Sequence, residues 1–169
     1  MNYENYLNDK NPRVVIEVEN LGDITVELFP EVAPITVENF LDLVSKDFYK
    51  GIIFHRVISG FMIQGGDPSG TGMGGSMKTI KGEFLANGVR NLLHHNRGVI
   101  SMARTSYPNS ASSQFFIMHD DAPYLDGEYE GFGVVVDGIN VVDKIAETAT
   151  DRNDKPLSDI KMKTIKRIR

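Results

Sequence analysis

The chain has 169 residues, which is enough for one domain with its own hydrophobic core and leaves little room for two. It contains no cysteine, which excludes disulfide frameworks and thiol chemistry and fits the reducing cytoplasm, where we expect the protein to act. The formal net charge is −5, and so acidic a chain is a poor candidate for general nucleic-acid binding.

The first ten residues are polar and carry acids, without the basic and apolar regions of a signal peptide. We predict that residues 1–10 form a flexible segment and that residues 11–169 form a single domain. No apolar run approaches the ~18 residues that a membrane-spanning helix needs, so we expect no membrane association.

Two runs of alternating apolar and polar residues, 14–18 and 24–28, flank an Asn/Gly/Asp turn and predict a β-hairpin. A helix is predicted to begin near Pro34, because proline is tolerated in the first turn, with Thr36 as a plausible N-cap. Apolar residues then recur at helical spacing up to residue 48.

Short apolar strands follow at residues 52–58 and 61–64, and a glycine-rich loop spans residues 65–75. Residues 76–96 have no clear pattern. Further strands are predicted at 98–103, 114–118, 131–136 and 160–168, with a second helix at 139–146. Many short strands and only two helices favour an all-β class, mainly β with two helices, as a barrel or a sandwich rather than a parallel sheet.

The densest motif lies at residues 54–67, where Arg56 stands close to Phe61, Met62 and Gln64. A guanidinium must keep polar partners or water, so an arginine among aromatic and methionine side chains is unusual for a pure core. Composition alone leaves two interpretations open: a functional cleft, or a packed core with an arginine that reaches out to solvent.

Residues 54–67 resemble the F-H-R-x-I-x-G-F-M-x-Q-G-G-D signature of the cyclophilin family of peptidyl-prolyl cis–trans isomerases. Three other segments resemble that family in the same order: G-x-x-S-M-A at 98–103, S-Q-F-F-I at 113–117, and L-D-G followed by F-G at 125–133. Four separated motifs in register identify the chain as a member, from about residue 13 to the C-terminus.

The resemblance implies a closed eight-stranded antiparallel β-barrel capped by two α-helices, with proline-containing polypeptides as partners and no cofactor or metal. It implies that Arg56 is catalytic. It also implies a substrate-binding set: a proline pocket of Phe61, Met62, Phe116 and Leu125, main-chain contacts from Gln64, Ala103 and Arg104, and Gln114 as a brace for Arg56 or the peptide. Tyr124 and Tyr129 belong to the same set.

The roles are physically reasonable. An amide resists rotation by ~18–20 kcal/mol, so X–Pro bonds exchange slowly. At the twisted transition state the nitrogen lone pair localises, and a charged donor aimed at it, or one holding the carbonyl, stabilises the twisted form more than the planar one. The implied function is therefore the isomerisation of X–Pro bonds in assistance of protein folding, without a covalent intermediate.

Three positions at the implied site depart from the best-known members. Tyr124 stands where they carry a tryptophan linked to cyclosporin, so we expect cyclosporin to bind weakly if at all. Tyr129 replaces a histidine, and Arg104 replaces an asparagine whose contact is mainly main-chain. The short glycine-rich loop resembles the bacterial form, which indicates a prokaryotic member.

Other functions are less well supported. The glycine-rich loop lacks the following helix and the Lys-Ser/Thr of a phosphate-binding loop. Adjacent His94 and His95 would point to opposite faces of a strand, and His55 is predicted to be a hydrogen-bonded structural residue, so no metal site is expected. Ser101 and Ser113 lie in apolar strands without hydrolase context. The serious alternative is a binding or chaperone module that holds proline segments with little catalysis. We expect a monomer, since no dimerisation motif is evident.

Overall fold

The structure is a computed structural model that describes all 169 residues. It contains eight strands and two α-helices, α1 (Pro34–Ser45) and α2 (Ile139–Ala146), and three short 3-10 turns. Neither α-helix has the length and apolar character needed to cross a membrane. The strands are β1 (Arg13–Val18), β2 (Gly22–Leu28), β3 (Phe54–Ile58), β4 (Met62–Gly65), β5 (Val99–Met102), β6 (Phe115–Met118), β7 (Gly131–Asp137) and β8 (Met162–Arg167).

All neighbouring strands pair antiparallel in one curled sheet of order β3-β4-β6-β5-β7-β2-β1-β8. The mainly β class with two helices is therefore confirmed. The outermost strands β3 and β8 are not paired with each other in the strand order of the sheet, and an isolated bridge links Ile53 to Lys161 beside them. The sheet is thus a half-barrel, curled as twisted strands require.

The predicted β1–β2 hairpin is present, and Val14, Ile16 and Val18 bury their side chains as the alternation requires. The turn depends on left-handed backbone at Asn20 (φ 67°) and positive φ at Gly22 (φ 124°). Asparagine and glycine adopt such angles at lower cost than other residues, which explains why the two strands reverse here.

Helix α1 begins with Pro34 in its first turn, but its N-cap is Ala33 and not Thr36. The predicted cap was wrong because Thr36 is already inside the helix, where it is wholly buried and directs its hydroxyl to two glutamates elsewhere in the chain. The buried face of α1 includes Phe40, which packs against Phe115 and Phe132 of the sheet at ring-centre distances of 5.8 and 5.3 Å.

The first ten residues lie against the body of the protein. The Tyr6 ring is 5.7 Å from the Phe29 ring. The Asn8 N–H donates to Glu27 at 3.0 Å, and the Asn8 carbonyl accepts from Arg169 at 2.9 Å. The segment therefore covers the β1–β2–β8 side of the sheet, and its predicted flexibility stays a prediction.

Candidate active site

Strand register brings the predicted site residues together. Arg56 of β3 lies opposite Gln64 of β4, Gln64 lies opposite Phe116 of β6, and Phe116 lies opposite Ser101 of β5. Because paired residues in adjacent strands lie side by side on one face, Arg56, Gln64 and Phe116 form one row across the sheet.

This row forms one wall of an open cavity of about 130 Å³, which we call the proline-sized cavity. Phe116 is 5% exposed, so most of its ring packs in the core while one part borders the cavity, and its ring makes an edge contact of 5.8 Å with Tyr129. The cavity is lined by Arg56, Phe61, Met62, Gln64, Ala103, Arg104, Phe116, Leu125 and Tyr129, all of which are in the set implied by the resemblance.

Gln114 and Tyr124, which belong to the same set, do not line this cavity. Gln114 lies in an adjoining cleft of about 260 Å³, bordered by the glycine-rich loop and shared with the first through Gln64, Ala103 and Arg104. Tyr124 is 69% exposed and its ring lies 6.0 Å from that of Phe61, which places it at the outer rim.

A chain of amide contacts supports Arg56. The Gln114 Nε2 donates to the carbonyls of Gly72 and Gly74 at 3.0 and 2.7 Å. The Gln64 Nε2 donates to Gln114 Oε1 at 3.0 Å, and Arg56 Nη1 lies 3.5 Å from Gln64 Oε1, at the limit of a hydrogen bond. Gln114 therefore contacts Gln64 rather than Arg56, and Arg56 makes no ion pair with any carboxylate of the chain.

Arg104 is fixed at the border between the two cavities. Its Nη2 donates to the Glu128 carbonyl at 2.6 Å, and its guanidinium lies over the rings of Phe84 and Tyr129 at 4.7 and 4.6 Å. Stacking of this kind stabilises a cation without neutralising it. The side chain at this position therefore forms part of the site wall rather than extending into solvent.

His95 and Asp126 support the cavity from below, and sequence reasoning missed them. The His95 ring stacks on Phe116 at 6.1 Å. Burial lowers the pKa of His95, and this effect is larger than the opposing effect of Asp126. The imidazole is therefore neutral. Its Nδ1 contacts Asp126 Oδ1 at 3.1 Å, so Nδ1 carries the proton and Nε2 accepts from the Ser101 hydroxyl at 2.9 Å.

The expected divergence of His94 and His95 was wrong, since both contact the Asp126 carboxylate. The two residues lie in an irregular segment and not in a strand, so adjacent side chains need not point to opposite faces. The hydrogen bonds link Ser101, His95 and Asp126 in the same order as in a hydrolase triad, but Ser101 is wholly buried and no substrate could reach it.

The glycine-rich loop wraps around an internal carboxylate. The Asp67 side chain accepts from the backbone N–H groups of Ser69, Thr71, Gly72 and Gly74 at 2.7–3.2 Å. Burial acts to raise the pKa of Asp67, but these hydrogen bonds outweigh it and lower the pKa to about 2. Because an internal anion occupies these donors, the loop is not available to cradle a phosphate.

A pair of buried carboxyl groups lies behind the site, at Glu83 and Glu130. The Thr36 Oγ1 lies 2.8 Å from Glu83 Oε1 and 2.5 Å from Glu130 Oε2. A hydroxyl has one proton and can donate to only one of them, so the second contact requires a protonated carboxyl. Burial raises the pKa of Glu130 to about 7, and the nearby charge of Glu83 adds to the effect. Glu130 precedes β7 directly and follows Tyr129 of the cavity wall.

His55 was expected to be hydrogen-bonded, and this was wrong: its Nδ1 is buried without a partner. The register of β3 shifts between Phe54 and Arg56, and His55 within this irregularity lines a different cleft from Phe61 and Met62, one that it shares with Arg56. No three or more His, Asp or Glu side chains are grouped so that they could hold a metal ion.

Comparison with known proteins supports this geometry. Residues 13–167 match the family model described as "Cyclophilin type peptidyl-prolyl cis-trans isomerase/CLD". The chain is 46% identical over 147 residues to the peptidyl-prolyl cis-trans isomerase CYP18-1 of Arabidopsis thaliana, covering 86% of this chain and 90% of that protein.

Solved structures are similar as well. A cyclophilin-type peptidyl-prolyl cis-trans isomerase of Cryptosporidium parvum superposes with a TM-score of 0.86 at 38% identity, covering 94% of this chain and 98% of that one. A structure of the Cryptosporidium protein in the presence of the dipeptide Ala-Pro gives a TM-score of 0.82 at 40% identity, covering 90% and 96%.

Proposed function

Since this chain belongs to the cyclophilin family of peptidyl-prolyl cis–trans isomerases, we propose that Arg56 stabilises the twisted amide of an X–Pro bond whose proline ring sits in the proline-sized cavity. The activity is the rotation of X–Pro bonds in polypeptides. The observation that carries the proposal is the row Arg56–Gln64–Phe116, which sets a guanidinium at the border of an apolar hollow.

Different walls of the cavity suit the proline ring, which stays fixed during rotation, and the main chain of the peptide. Phe61, Met62, Phe116 and Leu125 offer an apolar surface on which the proline ring stays fixed while the acyl side turns. Gln64, with the backbone of Ala103 and Arg104, borders the hollow where the main chain of a peptide would pass. Tyr129 also lines the hollow and makes an edge contact with Phe116.

Arg56 suits its role because its charge is not matched inside the protein. A guanidinium paired with a carboxylate would donate most of its hydrogen bonds before the substrate arrived. Arg56 instead has one weak contact with Gln64 and is exposed. A charge-assisted hydrogen bond contributes ~1.5–3 kcal/mol, and more in a site from which the peptide excludes water. No proton transfer and no nucleophile are required.

A proline-binding or chaperone module with little catalysis would keep the same hollow, so cavity shape alone does not separate the two functions. Arg56 separates them, since a binding module needs the hollow but gains nothing from a free guanidinium aimed at a turning amide. The retained Arg56 favours the enzyme.

The test is NMR exchange spectroscopy on a peptide containing Ala-Pro, with wild type, Arg56→Ala, Arg56→Lys and Arg90→Ala. Arg90 is an exposed arginine outside both cavities and serves as the matched control. We expect Arg56→Ala to lose ~100- to 1,000-fold in kcat/KM, as removal of one transition-state donor does. Lysine should restore part of it, because it keeps the charge but not the fork.

An Arg56→Ala protein that is folded by circular dichroism and turns over peptide like wild type would refute the mechanism. A wild type that binds the peptide without accelerating exchange would instead establish the binding module.

The remaining proposals rest on composition, on resemblance and on contacts near the sheet edges. The backbone of Gly51 and Phe54 donates to the carbonyls of Met162 and Ile160 at 2.8 and 2.9 Å, which supports closure of the barrel between β3 and β8.

The lack of cysteine supports a cytoplasmic enzyme, and the net acidity supports one that does not bind nucleic acid. We propose that it acts as a monomer. Tyr124 at the rim supports weak cyclosporin binding, which a calorimetric titration would measure.

A further inference from the structure

A second cleft lies on the other side of Arg56 from the proline-sized cavity. Its volume is about 330 Å³, within the range of small-ligand sites. Arg56 and Gln64 line both hollows, so a single layer of side chains separates them. The cleft is lined by His55, Arg56, Gln64, Gly70, Thr71, Gly72, Asp151, Asn153 and Lys155, and we call it the cationic cleft.

The charges of this cleft do not balance internally. Lys155 is only partly exposed and, like Arg56, makes no ion pair. The one acid in the lining, Asp151, is engaged by its own loop, since its Oδ1 accepts the backbone N–H groups of Asn153 and Lys155 at 2.8 and 3.1 Å. The lining therefore carries two cations against one anion, and one oxygen of that anion is already occupied by backbone N–H groups.

His55 adds a polar group that the protein leaves unused. It is 7% exposed, makes no hydrogen bond, and its Nδ1 is buried without a partner. Burial lowers the pKa of His55. The charge of Asp67 opposes this effect and the charges of Arg56 and Lys155 add to it, so the net pKa is lowered and the ring is neutral. Gly72 lies against the ring, since a Cβ there would be 3.4 Å from Nε2, and its φ of +88° disfavours any side chain that would fill the cleft.

We infer that the cationic cleft binds the carboxylate of an aspartate or glutamate two residues from the substrate proline. This inference rests on the proposed function, because it needs a peptide whose proline occupies the neighbouring cavity. In an extended peptide, residues two apart point to the same side and are ~6.6–7 Å apart. Because Arg56 and Gln64 border both hollows, a side chain two residues from the proline lies on the side of the cationic cleft, whereas the residue next to proline points away.

The chemistry favours an anion over a neutral or basic side chain. A carboxylate in the cleft would reduce the repulsion between Arg56 and Lys155 and accept hydrogen bonds from both. A lysine there would add a third positive charge. The cleft is open to solvent, so the preference is moderate and falls with salt.

The experiment uses peptides that carry Glu, Gln or Lys two residues before or two residues after an Ala-Pro bond, with kcat/KM from NMR exchange. We expect Glu to exceed Gln about five-fold at one of the two positions at low salt, with Lys below Gln. At 1 M salt the Glu:Gln ratio should fall towards one, because the Debye length shrinks to about 3 Å.

The Lys155→Met variant should bring the Glu:Gln ratio close to one at low salt, and Lys155→Glu should favour Lys over Glu. Lys144→Met, at an exposed lysine of α2 without an ion pair, should keep the wild-type ratio. The Lys155 side chain makes no hydrogen bond, so these changes leave the loop contacts in place; the salt series on wild type tests the inference should either variant fail to fold.

The outcomes separate the two proposals. No turnover of any peptide would refute the proposed function. Turnover of all peptides with a Glu:Gln ratio of one at both positions, or a ratio that Lys155→Met leaves unchanged, would overturn the cationic cleft and leave the isomerase intact.

Discussion

Glu27 and Glu130 are both glutamates with 1% of their surface exposed, but their pKa values are shifted in opposite directions. The Glu27 carboxylate, on the β1–β2–β8 side, accepts from Asn11, Arg13 and Arg169, each at 3.0 Å, and from the Asn8 N–H at 3.0 Å. Burial on its own would raise the pKa of Glu27, but these contacts outweigh it and the net pKa is lowered.

Glu130, behind the proline-sized cavity, has no ion pair, and its Oε1 is buried without any hydrogen bond. Hydrogen bonds from Thr36 and from the Glu83 N–H, with the charge of Arg104, offset only part of the effect of burial there, and the pKa rises to about 7. Two glutamates with equally small exposed surface thus have pKa values shifted in opposite directions, because their charged and hydrogen-bonding neighbours differ. The Glu27 carboxylate thus has cationic partners, whereas Arg56, Lys155 and Glu130 on the site side have no ion pair.

The largest effect that tests this contrast is expected at Glu130. Its pKa is about 7 in the folded state against 4.5 as the ordinary value, so the folded protein binds the extra proton. The contribution of this group to the free energy of unfolding is fully present below pH 4.5. About 3 kcal/mol of it is lost as the pH rises to 7. Glu130→Gln, which is neutral throughout, should remove this dependence. Urea unfolding of both proteins from pH 4.5 to 8 measures it, and parallel profiles would contradict the assignment.

A smaller effect of opposite sign is expected at Glu27. Because its folded pKa is lowered, its stabilisation is present above the ordinary value of 4.5 and is lost as pH falls through the folded pKa. Glu27→Gln should cost about 2 kcal/mol of unfolding free energy at pH 7, as expected for lost hydrogen bonds to charged groups. The deficit should shrink below pH 4.5. A deficit independent of pH would mean that packing, not charge, explains Glu27.

The smallest effect is expected at Arg104, whose charge lowers the pKa of Glu130. Arg104→Met keeps much of the side-chain length but removes the cation, so the titration of Glu130 should move to higher pH. The free energy of unfolding in urea is measured against pH for Arg104→Met and for the double variant with Glu130→Gln. The midpoint of the difference between the two curves is compared with the midpoint obtained for wild type and Glu130→Gln. A midpoint that does not move, or moves to lower pH, would show that Arg104 does not act on Glu130 through its charge.

Parts of the site could be predicted from sequence because its motifs are local. The strand–turn–strand at 54–65 needs only one hairpin to bring Arg56 beside Gln64, and period-2 alternation indicates that pairing. Thr36, His95 and Asp126 were misassigned or missed because their partners lie 31–94 residues away or depend on an irregular segment. No periodicity reports which loop reaches which side chain.

The sequence by itself determined the strand and helix order and the hairpins, since alternation, helical spacing and turn residues act over a few positions. The set of side chains around the hollow followed from the resemblance of four sequence motifs to the cyclophilin family. Only the tertiary structure decided that Gln114 contacts Gln64 rather than Arg56, that Tyr124 stands at the rim, and that Glu27 and Glu130 titrate in opposite directions. Protonation and charge balance depend on distances between distant segments, which exist only once the sheet has curled and brought them together.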